Sequence, residues 1–407
     1  MKSYDIFTLQ NGIRLIHKQT DSLVGHFGIL VNTGSRDEDE DEHGMAHFIE
    51  HSVFKGTKKR KAYHILSRLE DVGGELNAYT TKEETCIYAS FLIEYYNRAL
   101  ELISDIVFNS VFPENELSKE KEVVIDEINS YKDNPSELIY DEFEELIFKN
   151  NSIGRSILGT EESLKSFSAQ KIIKFISQKY NTNEIVLSSV GNIPFKKLLQ
   201  LVEHYFGNIP ENSRTFKRKP FKNYKPDYIT DDKNTYQSHC IIGSTAYNYK
   251  NKKRLGLYLL NNLLGGPGMN SRLNLSLREK RGYTYNIESN YSPYSDTGIF
   301  NVYFGTDNIN LEKSIDLVKK ELKELRLKKL GTLQLSKAKK QLIGHQAIAA
   351  ENLEGYMLAI GKSLLIFDYV ETIEEVNRKI QAITASDILE IANEIFPEDK
   401  YSYLIYK

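Results

Sequence analysis

Apolar residues recur along this chain in two rhythms, and the rhythms mark out its elements. Short apolar runs with the character of strands stand at 6–9, 14–17 and 24–31, with Asn11-Gly12 as a hairpin turn between the first two. Helical spacing takes over at Met45, Phe48, Ile49 and Phe54, which share one face, and again across 62–72. Residues 73–80 and 85–91 predict paired strands. Helices are predicted at 95–108, 113–131, 138–148, 168–180 and 194–206, with Ser168 as an N-cap, and a strand at 184–190.

The second half repeats this order. A strand at 239–244 resembles 27–32, and a helix at 255–264 stands where the helix around Met45 stood. Strands at 283–291 and 298–304 pair like those after Gly74, and long helices follow at 311–327 and 335–350. A helix at 385–396 and a strand at 401–405 match 169–180 and 184–190. The chain therefore reads as a duplication. Strand pairs with segregated helices give an α+β fold of two duplicated α/β-sandwich domains, each mostly antiparallel sheet with helices. Between the halves, 210–226 holds Pro210, Pro220 and Pro226 among Arg214, Lys217, Arg218, Lys219, Lys222 and Lys225. It reads as an exposed linker, which sets the expected domains at 1–209 and 227–407.

Composition narrows the class. At 407 residues, 40% hydrophobic and 27% charged, the chain is that of a soluble globular protein with more than one domain. A formal net charge of −3 makes no case for nucleic acid as a partner. Cys86 and Cys240 are the only cysteines, far apart and each in a strand-like run, which excludes a disulfide framework and fits a reducing compartment. The opening Met1-Lys2-Ser3-Tyr4-Asp5 has no apolar signal region, and no apolar stretch approaches a membrane span. A cytoplasmic protein with no membrane partner is expected.

The chemistry is concentrated in His47-Phe48-Ile49-Glu50-His51. On a helix, His47 and His51 stand one turn apart and can point at one atom. Two imidazoles so placed suit Zn²⁺. Glu50 is too close in sequence to complete the coordination easily and is well placed to handle a proton on metal-bound water. A third ligand is needed. On the predicted helix 113–131, Glu120 and Glu127 are seven apart and share a face beside Val123, Val124 and Ile128. A buried carboxylate needs a partner or a metal, which makes Glu127 the third-ligand candidate and Glu120 its neighbour behind the ligands. Several acids on one helix also suit a solvated surface, and spacing alone does not separate the two. The acidic run 37–42 before the His helix is expected to be solvated.

The stretch Gly44-Met45-Ala46-His47-Phe48-Ile49-Glu50-His51-Ser52-Val53-Phe54-Lys55-Gly56-Thr57 resembles the pitrilysin/insulinase class of inverted-motif zinc peptidases, in its short, mitochondrial-processing-peptidase-like bacterial branch. The resemblance runs over nearly the whole chain. It implies His47, His51 and Glu127 as ligands of one zinc per chain, Glu50 as the catalytic base, and Glu120 as the acid seven residues before the third ligand. Asn77, Ala78 and Tyr79 resemble the edge strand on which family members lay substrate backbone. Leu277 to Tyr285 resembles a segment whose Arg and Tyr contact substrate near the scissile bond, here Arg278 and Tyr285. Gly265-Gly266-Pro267-Gly268 resembles the glycine-containing loop of the second half. Ser52 departs from the pattern, which usually has a larger apolar residue there.

The implied activity is a zinc-dependent endopeptidase for short or unfolded peptides, with a processing role in keeping with the branch. The implied partner is a second subunit, forming a homodimer or a heterodimer with a related chain. In such a dimer Arg278 and Tyr285 would reach the zinc of the other subunit. The rival readings are a catalytically silent subunit of the same fold and a zinc hydrolase acting on a non-peptide substrate.

Overall fold

The structure, a computed structural model, describes residues 4–407. Short runs rich in β-branched and aromatic residues form two sheets. The first contains β1 (Asp5–Thr8), β2 (Arg14–Gln19), β3 (Val24–Val31), β4 (Glu75–Thr80), β5 (Thr85–Leu92) and β6 (Ile185–Gly191). The second contains β7 (Tyr228–Asp231), β8 (Ser238–Thr245), β9 (Thr284–Pro293), β10 (Gly298–Thr306) and β11 (Ser402–Tyr406). Their spatial orders are β1-β2-β6-β3-β5-β4 and β7-β11-β8-β10-β9. Apart from β1, the two orders correspond strand for strand. The sense of pairing corresponds too: β2/β6 and β7/β11 are parallel, and every other pair is antiparallel. The duplication read from the sequence is thus a duplication of topology.

The predicted helices form within a few residues of their expected ends. The His-bearing helix is Met45–Ser52, and Arg254–Gly265 holds the same place in the second sheet's connection. Glu114–Lys132 follows Tyr96–Phe108, as Thr332–Ala350 follows Leu311–Leu327. Leu353–Phe367 and Ile373–Ala382 are helices beyond those predicted, the first in the place that Pro135–Ile147 holds in the first half.

The first of these changes the division of the chain. One face of β3 packs on helices of its own half, with the Phe27 ring 6.0 Å from Phe206 of the Phe195–Phe206 helix. The other face, carrying Leu30, takes Met357, Ile360 and Leu364 from Leu353–Phe367. Gly361 permits this approach: a Cβ there would lie 2.7 Å from Leu30 and 2.8 Å from Ser188. Conversely, Ile139, Phe143 and Ile147 of helix Pro135–Ile147 pack with Ile241, Leu404 and Tyr406 of the second sheet. The compact units are therefore Met1–Asn129 with Arg155–Arg218 and Ile348–Thr372, and Ser130–Gly154 with Lys219–Ala347 and Ile373–Lys407. They differ from the contiguous division 1–209 and 227–407 because a two-faced sheet needs two layers of apolar cover, and one layer of each comes from the other half of the chain.

Two regions expected to be solvated are partly buried. In the acidic run, the Asp37 carboxylate lies fully out of water, where Arg214 and Arg218 reach it at 3.0 and 2.8 Å. Residues 210–226 thus begin as part of the first unit, and the boundary between units falls inside them, after Arg218. Charges of opposite sign can be buried when each satisfies the other, which is what composition alone does not reveal.

Candidate metal centre

Helix Met45–Ser52 is held rigidly because Met45, Ala46, Phe48 and Ile49 face the core. Its start is fixed by two devices. Gly44 has φ +90° and passes so near Gly159 that a Cβ would come within 2.7 Å of it. The buried Glu38 carboxylate accepts hydrogen bonds from the N–H groups of Gly44 and Ala46, each at 2.8 Å. Burial pushes the Glu38 carboxyl well up, while the two amide bonds oppose that shift. The second buried acid of the supposedly solvated run therefore caps the helix of interest.

From this helix the His47 and His51 rings project side by side, 4.6 Å between centroids. Across from them, helix Glu114–Lys132 buries Leu117, Val124 and Ile128, which turns Glu120 and Glu127 toward the histidines. Glu127 Oε2 lies 3.7 Å from His47 Nε2 and 3.5 Å from His51 Nε2. One ligand atom from each of these three residues falls within 4.8 Å of the other two. Glu120 Oε1 lies 2.9 Å from His51 Nδ1, and its Oε2 lies 2.6 Å from Lys55 Nζ. His47 Nδ1 is buried with no hydrogen-bond partner among the described residues.

The electrostatics follow from this packing. Burial and the neighbouring His51 lower His47 to about 4. Burial also works against the charged form of His51, but Glu120 and Glu127 outweigh it and raise His51 to about 9. The His51 bond and the two imidazole charges hold Glu127 below the usual carboxylate range, against the effect of burial. Burial opposes ionisation of Glu120, yet the bonds to His51 and Lys55 lower it. Without a metal, the site thus keeps a proton on His51 between two carboxylates. Two imidazole nitrogens and a carboxylate oxygen are a donor set that suits Zn²⁺, so the residues fit the ion. Glu50, on the same helix, is not one of this group; burial and the charge of Glu127 raise it.

The other predicted site residues fall in two places. Asn77, Ala78 and Tyr79 lie on β4, paired with Tyr88, Ile87 and Cys86 of β5 on one side. β4 ends the first sheet, and helix Met45–Ser52 packs against it. The Tyr79 hydroxyl donates to Glu84 at 3.0 Å, and Lys362 Nζ stands 3.0 Å from the same carboxylate oxygen. In the second unit, Arg278 lies in the π-helical turn Asn274–Glu279 and Tyr285 at the start of β9. The Arg278 guanidinium sits 5.1 Å over the Tyr285 ring. Both line a cavity of about 410 Å³ with Gly265, Gly266, Pro267 and Gly268.

Three residues that bear on the predicted site residues, Lys362 through Glu84 beside Tyr79, went unnoticed in the sequence. Lys55 had a signal, since it stands one turn beyond His51. Glu38 and Lys362 had none, because a capping acid hidden in an acidic run and a lysine far along the chain carry no spacing signature.

Comparison with known proteins agrees with this geometry. Residues 15–161 match the family described as Insulinase (Peptidase family M16), and residues 166–342 match the one described as Peptidase M16 inactive domain. The chain belongs to the insulinase family, peptidase family M16. It is 33% identical over 395 residues to the uncharacterized zinc protease YmxG of Bacillus subtilis, covering 97% of this chain and 96% of that one. It is 28% identical to the mitochondrial-processing peptidase subunit beta of Bos taurus, over 94% of this chain and 80% of the relative. A protease from Helicobacter pylori shares the fold with a TM-score of 0.91 at 21% identity, each chain covered in full at 100%. Among the described residues, no helix is long and apolar enough to cross a membrane.

Proposed function

We propose that the chain is a zinc-dependent endopeptidase for short or unfolded peptides, with His47, His51 and Glu127 holding one zinc per chain. The observation that carries this reading is the convergence of two imidazoles and a carboxylate within 4.8 Å. Its support is a set of relatives named zinc proteases. A bound zinc supplies a Lewis acid that acidifies water and polarises a carbonyl. Glu50 takes the proton of the attacking water and delivers it to the leaving amine, and its raised pKa suits a group that must carry that proton. Glu120 accepts the Nδ1–H of His51, which fixes the tautomer and leaves Nε2 for the metal. Lys55 favours the charged form of Glu120. Asn77, Ala78 and Tyr79, on the last strand of the sheet, hold an extended substrate backbone by strand addition. Arg278 and Tyr285 donate hydrogen bonds to the substrate carbonyl as it gains negative charge.

The assembly in this reading is a cytoplasmic homodimer in which Arg278 and Tyr285 serve the site of the other subunit, and a processing role accords with the relative named a processing-peptidase subunit. Mixed dimers of Glu50→Gln and Arg278→Ala chains test it: random pairing should restore about a quarter of wild-type activity. No recovery above the single variants would refute that arrangement. The activity itself is tested by hydrolysis of a quenched-peptide library on protein of measured zinc content. Cleavage should stop with chelator and return with zinc. Zinc-loaded protein that cleaves none of the library would contradict the enzymatic reading and leave a silent subunit of the same fold.

A further inference from the structure

The second unit contains a cavity of about 450 Å³ that shares no residue with the sites described above. Leu263, Leu330 and Ala338 give it an apolar wall, and Arg272, Lys328, Lys329 and Lys337 bring cations to it. Arg272 is already neutralised, by Glu321 at 2.9 Å and Glu324 at 3.3 Å. The lysines are not. Lys329 donates to the Ser386 hydroxyl, and among the described residues Lys328 and Lys337 form no ion pair. The sequence accounts for this excess of positive charge. No Asp or Glu occurs between Glu324 and Glu351, a stretch that includes Arg326, Lys328, Lys329, Lys337, Lys339 and Lys340. In a chain of formal net charge −3, this is a local reversal of sign.

The walls say what kind of anion fits. They are helices and the loops between them, with no strand edge, so an extended peptide finds no backbone to pair with. The volume is that of a small-molecule pocket. The one guanidinium, which would grip a carboxylate in two places, is occupied by its own acids, while free ammonium groups act as point charges suited to phosphate. We infer that this cavity is a binding site for a small phosphorylated molecule, held by Lys328, Lys329 and Lys337 against Leu263, Leu330 and Ala338.

Titration calorimetry on the full, zinc-loaded chain tests this, with fructose 1,6-bisphosphate as the probe and sodium sulfate at equal ionic strength as the comparison. The expected result is saturable binding of one probe per chain, absent with sulfate and at least tenfold weaker in Lys328→Ala/Lys337→Ala. Zinc content and peptide turnover without probe should be unchanged in that variant. Lys337→Glu, a single exchange at an exposed position, gives an independent check and should weaken binding in the same direction. No saturable binding, equal binding by sulfate, or equal binding by the variants would overturn the inference. Binding of a glutamate-rich peptide without binding of the bisphosphate would overturn it in favour of an acidic peptide.

Discussion

In the first half of the chain, the helix after β3 carries His47 and His51, and the Glu114–Lys132 helix answers them with Glu120 and Glu127. In the second half, the helix after β8 carries Asn262, and the Thr332–Ala350 helix answers with Gln341 and His345. There Asn262 Nδ2 donates to Gln341 Oε1 at 3.4 Å, and His345 Nδ1 lies 3.3 Å from Asn262 Oδ1. The helices hold the same places in the same strand order, yet one pair faces with carboxylates against imidazoles and the other with two amides and an imidazole. Neutral amides and an imidazole can satisfy one another and call for no cation, whereas a buried Glu120 and a half-buried Glu127 against two imidazoles call for a proton or a metal. Buried apolar positions build the fold twice; among the described residues, only the first pair of helix faces brings together a donor set that could hold a metal ion.

The largest effect expected from breaking this contrast is at Glu50. Glu50→Gln should retain zinc and peptide binding while turnover falls by roughly 10²–10⁴. Comparable kcat in the variant would show that the proton is handled elsewhere. Next is the third ligand: Glu127→Gln removes a charged donor and should lose zinc on dialysis against a mild chelator, and retention of one zinc per chain would displace Glu127 from the set. Glu120 acts through His51 and not on the ion, so Glu120→Gln should lower zinc affinity by about 10–100-fold and leave the other ligands in place. Chelator competition measures that shift, and an unchanged affinity would make Glu120 merely a neighbour.

A pH dependence sharpens the same comparison. His51 must be neutral to bind a metal, and in the free site its pKa is raised to about 9. Below that pH it carries a proton that zinc must displace, so apparent affinity should fall by about tenfold for each pH unit below 9. Near pH 7, uptake should release about one proton, seen as a dependence of calorimetric heat on buffer ionisation. Uptake with no proton release would mean that the histidine is already neutral.

Much of this contrast was legible in the sequence, for identifiable reasons. The i, i+4 histidines lie within two turns of one helix, so local spacing was enough to pair them. Glu120 and Glu127 could be put on one face by periodicity, which made Glu127 a candidate ligand, but their approach to the histidines depends on packing between helices that spacing does not fix. Neither Asp37 nor Glu38 could be told from its acidic neighbours, because what buries them is Arg214 and Arg218 in one case and the helix start at Gly44 in the other. Helix Leu353–Phe367 follows Thr332–Ala350 as Pro135–Ile147 follows Glu114–Lys132, but its packing on β3 and β6 of the distant half leaves no mark in local spacing.

The contrast between the halves is tested most directly by diffraction from crystals of the zinc-loaded chain on either side of the zinc absorption edge. The account predicts one anomalous peak per chain, bounded by His47, His51 and Glu127, and none between Asn262, Gln341 and His345. A peak at the second position, or none at the first in crystals shown to contain zinc, would contradict it.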